Sequence, residues 1–526
     1  MVPPMNDATE SQEAVFALLA DPATHVGQAH VGQAHGGHAV KRIDTHAASV
    51  FLAGERVLKV KRAVRFPFLD YSTLEKRKTA CDTELAINRR TAPDIYRRVV
   101  AITREPDGRL ALDGRGEPVE WALEMRRFDE EQTLDHLAAR GKIDAALADA
   151  LGRTVAASHA DAEPADAARW IAALESYIDE HVDAFGQLPA LFPPEENQAF
   201  AEAGRAAFTR VRALLTERGR TGFIRRIHGD LHLGNIVLLD NRPVLVDAIE
   251  FSEVIASGDV LYDLAFLLMD LVERDLTPAA NVAFNRYLVE AKHDENLDAL
   301  AALPFFLSMR AAIRAKVTAA RLAHARPDEQ TEITGGARAY FDWARRFIAP
   351  APPVMVAVGG LSGTGKSVLA RALAPTLVPP PGAVVIRSDV ERKALFGKGE
   401  LEPLPQEAYT PETTARVYAV IAEKARRTVA AGHSAILDAV FARPEEREQA
   451  ERAASDAGVR LQGLFLEVDV ATRAQRASAR ARDASDANAD VVRTQESYDL
   501  GVLAWHRVDA SGTPETILQR AKAALA

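Results

Sequence analysis

One stretch of the chain, from His228 to Phe251, gathers side chains with the means to do chemistry: HGDLHLGNIVLLDNRPVLVDAIEF. Asp230 closes a His-Gly-Asp tripeptide, and Asn235 stands five residues beyond it. A tight turn at Asp240-Asn241 then leads into the apolar strand Val244-Leu245-Val246, which delivers Asp247. Phosphoryl transfer to a hydroxyl needs an aspartate to orient and deprotonate the acceptor. It also needs an Asn and a second Asp to hold the magnesium that bridges the nucleotide phosphates. Asp230 is therefore read as the base, and Asn235 and Asp247 as metal ligands. His228 is read as holding the loop through a hydrogen bond, while His232 either touches the acceptor or packs. The tripeptide alone says nothing; the three residues in this order carry the reading.

A second set begins at residue 360. Gly360-Leu361-Ser362-Gly363-Thr364-Gly365-Lys366-Ser367 is a complete G-x-x-x-x-G-K-[ST], preceded by the apolar strand Val354–Val358 and opening a helix, VLARALA. Its glycines let backbone N–H groups converge on phosphate oxygens. Lys366 reaches the β/γ-phosphates, and Ser367 takes magnesium. A second strand, 384–389, ends in Asp389, and a third, 435–438, ends in Asp438 at the Walker B position. A fourth strand, 464–468, precedes a segment with Arg476, Arg480 and Arg482. Lid arginines of this kind neutralise charge on a transferring phosphoryl group. Their other reading is a solvated helix face paired with Asp483, Asp486 and Asp490.

The first motif resembles the catalytic loop and metal aspartate of protein kinases, with His-Gly-Asp in place of His-Arg-Asp. That change makes it similar to the aminoglycoside phosphotransferase and choline kinase branch, whose acceptors are small molecules. The resemblance covers roughly residues 40–345. It implies a phosphate-contacting lysine on the second strand of a hairpin, and Lys59, in Val57-Leu58-Lys59-Val60, takes that place in preference to Lys61. The helix over 73–90 then supplies its ion-pair partner, Glu84, with Glu75 as the alternative. Strands at 99–102, 110–112 and 119–125 complete a β-lobe that leads to a hinge near 124–126. Thr45–Ser49 stands where protein kinases carry a glycine-rich loop. A helix over 258–272 is apolar on nearly every face, and its Asp259 and Asp263 are read as bracing the catalytic loop.

From residue 354 the chain resembles the gluconate kinase, chloramphenicol phosphotransferase and polynucleotide kinase group. That likeness implies Asp389 as an acceptor base and Arg392, three residues on, as its companion. As a whole the chain resembles bacterial fusions of an aminoglycoside phosphotransferase-like domain with a P-loop kinase domain. The expected fold is two domains, an α+β bilobal kinase-like domain and an α/β P-loop NTPase domain with a parallel sheet. The expected division is a flexible His/Gly-containing segment at 1–39, the kinase-like domain at 40–348, a Pro-rich linker at 349–353 and the P-loop domain at 354–526.

Composition agrees with this division. At 526 residues the chain exceeds a single core. One cysteine, Cys81, excludes an intramolecular disulfide. The N-terminal stretch lacks the basic and apolar regions of a signal peptide, and no run reaches the ~20 apolar residues of a membrane span, so a cytoplasmic location without membrane contact is expected. The net charge of −10 falls wholly on the first 350 residues, since 22 Lys+Arg balance 22 Asp+Glu from Ala351 onward. An acidic first domain suits a cationic or neutral acceptor better than a nucleic acid, although such a surface also serves solubility. Residues 25–38, HVGQAHVGQAHGGH, repeat a five-residue unit, read as a duplicated loop rather than a metal site.

The expected function is ATP- and Mg2+-dependent transfer of a phosphoryl group to a hydroxyl of a small molecule, with a second ATP site at the P-loop. Two alternatives stand beside it: one domain is a nucleotide-binding regulator of the other, or the second domain is a nucleic-acid end kinase. The second alternative is disfavoured by that domain's zero net charge. Oligomeric state is not legible in the sequence.

Overall fold

The computed structural model describes residues 7–25, 39–66, 69–479, 484–486 and 488–525. Arg480, Arg482 and positions 26–38 of the His-containing repeat lie outside the described residues. The chain forms two compact units, Met1–Ala173 with Thr216–Asp263, and Leu174–Leu215 with Leu264–Ala526.

The first unit opens with helix α1 (Asp7–Ala20). A six-stranded sheet follows, made of β1 (Lys41–Asp44), β2 (Ala48–Ala53), β3 (Arg56–Lys61), β4 (Tyr96–Arg104), β5 (Leu110–Leu112) and β6 (Glu117–Arg126), in the order β1-β2-β3-β6-β4-β5 with every pair antiparallel. One face packs Phe51, Leu58, Val60, Val100, Ile102 and Ala122 against Val15, Phe16 and Leu19 of α1. The N-terminal stretch, expected to be a flexible segment, therefore contains a docked helix. Its apolar residues at i, i+1 and i+4 form one narrow stripe, a weak signal among polar neighbours. The other face gathers Leu52, Val57, Leu123 and Met125 with Val237 and Val246.

Helix α2 (Leu74–Asn88) starts at Thr73, whose side chain accepts from Lys76 N, and it buries Glu84 and Asn88. Beyond α3 (Ala145–Ala160) come the short strands β7 (Ile224–Arg226), β8 (Ile236–Leu239), β9 (Arg242–Leu245) and β10 (Ser257–Asp259). The β8–β9 hairpin turns through Asp240 and Asn241 at φ 49° and 60°. Two positive φ values suit the twist of the paired strands, and Asp and Asn are among the few side chains that tolerate them. Helix α4 (Val260–Glu273) begins two residues later than the apolar pattern predicted, because Gly258 and Asp259 pair with β7 instead.

In the second unit, the helical segment includes α5 (Thr277–Ala291), α6 (Leu303–Ala320) and α7 (Gln330–Ile348). Phe185, Phe192, Phe200 and Phe341 cluster at its centre. Against the expectation that no run reaches membrane-span length, the stretch Glu295–His324 is long and apolar enough to cross a membrane, and 78% of its apolar window is buried inside the protein.

A five-stranded parallel sheet follows, built from β11 (Met355–Gly359), β12 (Val384–Arg387), β13 (Ala435–Asp438), β14 (Leu461–Glu467) and β15 (His506–Asp509), in the order β12-β13-β11-β14-β15. Helices α8 (Lys366–Leu373), α9 (Ser388–Leu395), α10 (Pro411–Ala430), α11 (Val470–Ser478) and α12 (Pro514–Leu525) belong to the same part of the chain.

The outer strand β12 is closed by α5. Asn281 and Asn285 donate their amides to Ala383 O at 3.0 and 3.1 Å, and Val385 N donates to Asn285 Oδ1 at 2.7 Å. Side-chain amides thus complete a strand edge that would otherwise expose unpaired backbone groups. Arg427 grips Asp298 with two bonds of 3.0 and 2.5 Å, and Lys424 pairs with Asp294 at 2.9 Å. The Pro-rich stretch 349–353 accordingly lies inside one compact unit.

Candidate active sites

The first site is assembled around Asp263 at the start of α4. Its buried carboxylate accepts from His228 N at 2.9 Å and Gly229 N at 3.0 Å, so it fixes the loop that carries Asp230. Asp259 does other work: it takes two bonds from Arg218, at 2.5 and 2.8 Å. Gly229 stands at φ 83°, and a Cβ there would lie 3.2 Å from Ile255 O and 3.3 Å from Ala256 Cα. Glycine between His228 and Asp230 is thus a backbone requirement.

His228 Nε2 donates to Val246 O at 2.9 Å, which ties the loop to the strand ahead of Asp247. Burial pushes the His228 pKa below its ordinary value. The ring is therefore neutral, with Nδ1 free to accept from Asp230 N at 3.4 Å. His232 caps the short turn Leu233–Asn235 and stands 3.5 Å from Asp230 Oδ2.

Asn235 donates its side-chain amide to Asp230 O at 2.9 Å and to Asp230 Oδ2 at 3.0 Å. Both amide hydrogens are spent on the aspartate, which leaves the Asn235 carbonyl oxygen to act as an acceptor. Asp247 sits at φ 60°, a left-handed conformation tied down by its own N–H donating to Tyr96 Oη at 3.0 Å and by Ala248 N donating to Asn88 Oδ1 at 2.9 Å. Strained backbone that its surroundings hold in place is common at functional positions. An amide oxygen and a half-exposed carboxylate are the hard oxygen donors that Mg2+ prefers, so Asn235 and Asp247 fit the role read for them.

Lys59 Nζ lies 2.8 Å from Glu84 Oε1 and 2.8 Å from Asp247 Oδ1. Glu84, not the exposed Glu75, faces the strand lysine. Burial alone would lower the Lys59 pKa, but the carboxylates of Asp247 and Glu84 more than offset it and hold it well above the ordinary value. Lys59 in turn pulls the Asp247 pKa down, so both groups carry full charge.

Sequence reasoning weighed Lys61 and set it aside as the phosphate contact, and missed that it joins the same cluster. Lys61 pairs with the other Glu84 oxygen at 2.5 Å and contacts Glu250, which also accepts from Tyr71 Oη at 2.8 Å. The signal was present, since Lys61 follows Lys59 by two and shares its strand face. A charged residue on that face had argued against Lys61 as the phosphate contact, whereas the fold gives both lysines one shared carboxylate.

The second site lies at the carboxyl ends of the parallel strands, where open α/β sheets bind ligands. Gly360, Gly363 and Gly365 take φ of 139°, 86° and 94°. A Cβ on Gly363 would meet Arg473 O at 2.3 Å, so the loop tolerates no side chain there. Thr364 Oγ1 and Lys366 Nζ both bond Leu361 O, at 2.8 and 3.3 Å, and Ser362 N donates to Gln495 Oε1 at 2.6 Å. Ser367 Oγ and the Asp438 carboxylate reach a common guanidinium, that of Arg387, at 3.2 and 3.3 Å. One guanidinium thus holds both groups, and a hydroxyl and a carboxylate are the hard oxygen donors that Mg2+ prefers, so Ser367 and Asp438 fit a divalent metal.

Asp389 is half-buried on the first turn of α9 and makes no hydrogen bond or ion pair among the described residues. Its expected companion Arg392 is turned elsewhere. Arg392 bonds Ala408 O at 2.6 Å and Thr414 Oγ1 at 3.3 Å, and it stacks on Tyr409, so its guanidinium braces a loop. Arg476 is likewise committed to backbone, at 3.1 Å from Ala510 O and 3.4 Å from Thr364 O. It lines a cavity of about 260 Å³ with Val368, Leu369, Pro514 and Ile517. The arginine pattern marked the segment but could not show which carbonyls would claim each side chain.

A phosphotransferase enzyme family model matches residues 99–303, and an AAA domain model matches residues 355–498. Across 493 residues the chain is 31% identical to an uncharacterized protein of Mycobacterium tuberculosis, covering 90% of this chain and 92% of that protein. An uncharacterized protein of Mycobacterium bovis matches over the same span with the same identity. The chain belongs to their family. In this member a phosphotransferase-type domain precedes a P-loop domain, both of kinase type.

Solved structures similar to it include a gluconokinase from Sinorhizobium meliloti 1021, 22% identical over 33% of this chain and 91% of that one, with a TM-score of 0.25. A choline/ethanolamine kinase family protein from Mesorhizobium loti is 14% identical over 64% of this chain and 98% of that one, with a TM-score of 0.37.

Proposed function

We propose that the protein is an ATP- and Mg2+-dependent phosphotransferase that moves the γ-phosphoryl group to a hydroxyl of a small molecule. The observation that carries this reading is Lys59 joined to both Glu84 and Asp247, beside an Asp230 held by Asn235. Lys59 orients the nucleotide phosphates, and Glu84 keeps its ammonium in place. Asn235 and Asp247 hold Mg2+, which neutralises charge on the phosphates when bound. Asp230 orients the acceptor hydroxyl and takes its proton.

A second nucleotide binds at the P-loop. Backbone amides of 360–365 and Lys366 take its phosphates, while Ser367 and Asp438 take its metal. The nucleotide base enters the cavity beside Arg476, and Asp389, whose carboxylate makes no hydrogen bond or ion pair among the described residues, is the acceptor base. The acidic charge of the first 350 residues favours a cationic or neutral acceptor, and the cytoplasm is the compartment that supplies ATP.

Calorimetric titration with ATP in Mg2+ tests the two-site reading. Two nucleotides per chain are expected for the wild type and one for Lys366→Ala. A stoichiometry that Lys366→Ala leaves unchanged would contradict it.

A further inference from the structure

Strand β12 ends in Arg387, a buried residue that the chemistry above does not use. Its Nη2 donates to Ser367 Oγ at 3.2 Å and its Nε to Asp438 Oδ2 at 3.3 Å. Both oxygens assigned to the P-loop metal are thus held by one fixed positive charge. On its other side, Arg387 Nη1 stands 3.5 Å from Glu400 Oε1. Glu400 Oε2 accepts from Arg286 Nη1 of α5 at 2.7 Å. A line of alternating charge therefore runs from α5, inside the phosphotransferase-family stretch, to the metal ligands of the P-loop.

Mg2+ binds oxygen at about 2.1 Å and demands near-octahedral geometry. A guanidinium bonded to the same hydroxyl and carboxylate occupies that space and repels the ion. It must withdraw before the ion enters, and Glu400 is a carboxylate already within its reach.

We propose that Arg387 is a positioning residue that competes with the divalent cation for Ser367 and Asp438, and that Glu400, anchored by Arg286, is the alternative seat of its guanidinium. This rests on the reading of 360–367 as a nucleotide site. Arg387 holds the two ligands together before the metal arrives and sets how much metal is needed to load the site. The position of α5 acts on that threshold through Arg286.

The test dialyses the full chain against graded Mn2+ at a fixed ATP concentration and reads protein-bound Mn2+ as the excess over the protein-free compartment, which subtracts the metal that ATP holds in solution. Asp247→Asn is present throughout, to remove the metal carboxylate of the first site. Adding Lys366→Ala must abolish the remaining binding; if it does not, the nucleotide-site reading fails before the competition is tested. Where it does, Arg387→Gln is expected to lower the half-saturating Mn2+ by about fivefold or more, the lower range of coupling between sites. Glu400→Gln is expected to raise it, because the guanidinium loses its second seat. Unchanged or weaker Mn2+ binding in Arg387→Gln would overturn the proposal. So would an unchanged titration in Glu400→Gln, a partly exposed substitution that decides the matter alone should Arg387→Gln not fold.

Discussion

At the scale of single residues, the centre of the first site is one carboxylate shared by two lysines. Glu84 is fully buried and takes Lys59 on one oxygen and Lys61 on the other. Burial would raise its pKa, but the two ammonium groups outweigh that and hold it ionised. Removing Glu84 strips each lysine of one of its two carboxylates and leaves Lys59 to Asp247 and Lys61 to Glu250, at a cost of about 1–3 kcal/mol. Glu84→Ala is accordingly expected to shift urea unfolding by that amount, and Glu75→Ala, on the exposed face of α2, by less than about 0.5 kcal/mol. Equal shifts would contradict the shared-carboxylate arrangement. Lys59 was legible because its strand pattern is distinctive. Lys61 was legible as a second lysine on that face, but its partners were not, because nothing in a linear sequence says that α2 and the residues after Asp247 converge on one strand face.

At the scale of elements, the joint between α5 and β12 determines how the P-loop sheet ends. Two asparagines satisfy the strand edge, and Phe284 packs edge-on against His433 at 5.3 Å. Asn285→Ala strips Val385 N of its acceptor, and an unsatisfied buried group costs about 1–3 kcal/mol. Hydrogen exchange should show Val385 losing protection while amides of the central strand β11 keep theirs. Uniform loss or none would refute the edge-capping role.

His433 donates Nε2–H to Gly382 O at 2.8 Å, and burial pushes its pKa down to about 4. The native state then binds fewer protons than the unfolded chain between about pH 4 and the unfolded value near 6.5. Its contribution to stability is complete above pH 6.5 and is lost as pH falls toward 4, to the extent of about 3 kcal/mol. His433→Asn should flatten that part of the stability–pH curve; an unchanged slope would count against a buried neutral imidazole.

Strand–loop–helix order made the parallel sheet readable. The edge capping was not, since Asn281 and Asn285 look like ordinary polar positions on an amphipathic helix. The docking of α1 was hidden for a similar reason, its apolar contacts being too few to stand out.

At the scale of the whole chain, two kinase-type domains share one polypeptide, and part of the phosphotransferase-family stretch is packed into the unit that holds the P-loop. The two motifs, with their strand and helix context, made the fold class legible. The Pro-rich stretch did not reveal that helices preceding it would close the sheet that follows it, because side-chain capping of a strand edge leaves no periodicity. If the sites are independent, variants that silence one should leave the other's rate intact. Because Arg286 anchors Glu400, Arg286→Ala should change nucleotide loading at the P-loop by at least about fivefold. Equilibrium ATP binding to the Asp247→Asn chain reads this, and an unchanged affinity would count against the Arg286 anchor.

On the proposed function, Asp230 takes the acceptor proton at the first site. Acceptor-stimulated ADP release in the Lys366→Ala background, with and without Asp230→Ala, across a panel of small amino alcohols and sugars, tests this. Loss of the base is expected to lower turnover about 10²–10⁴-fold while ATP affinity stays nearly the same. Full acceptor-stimulated turnover in the chain lacking Asp230 would contradict it.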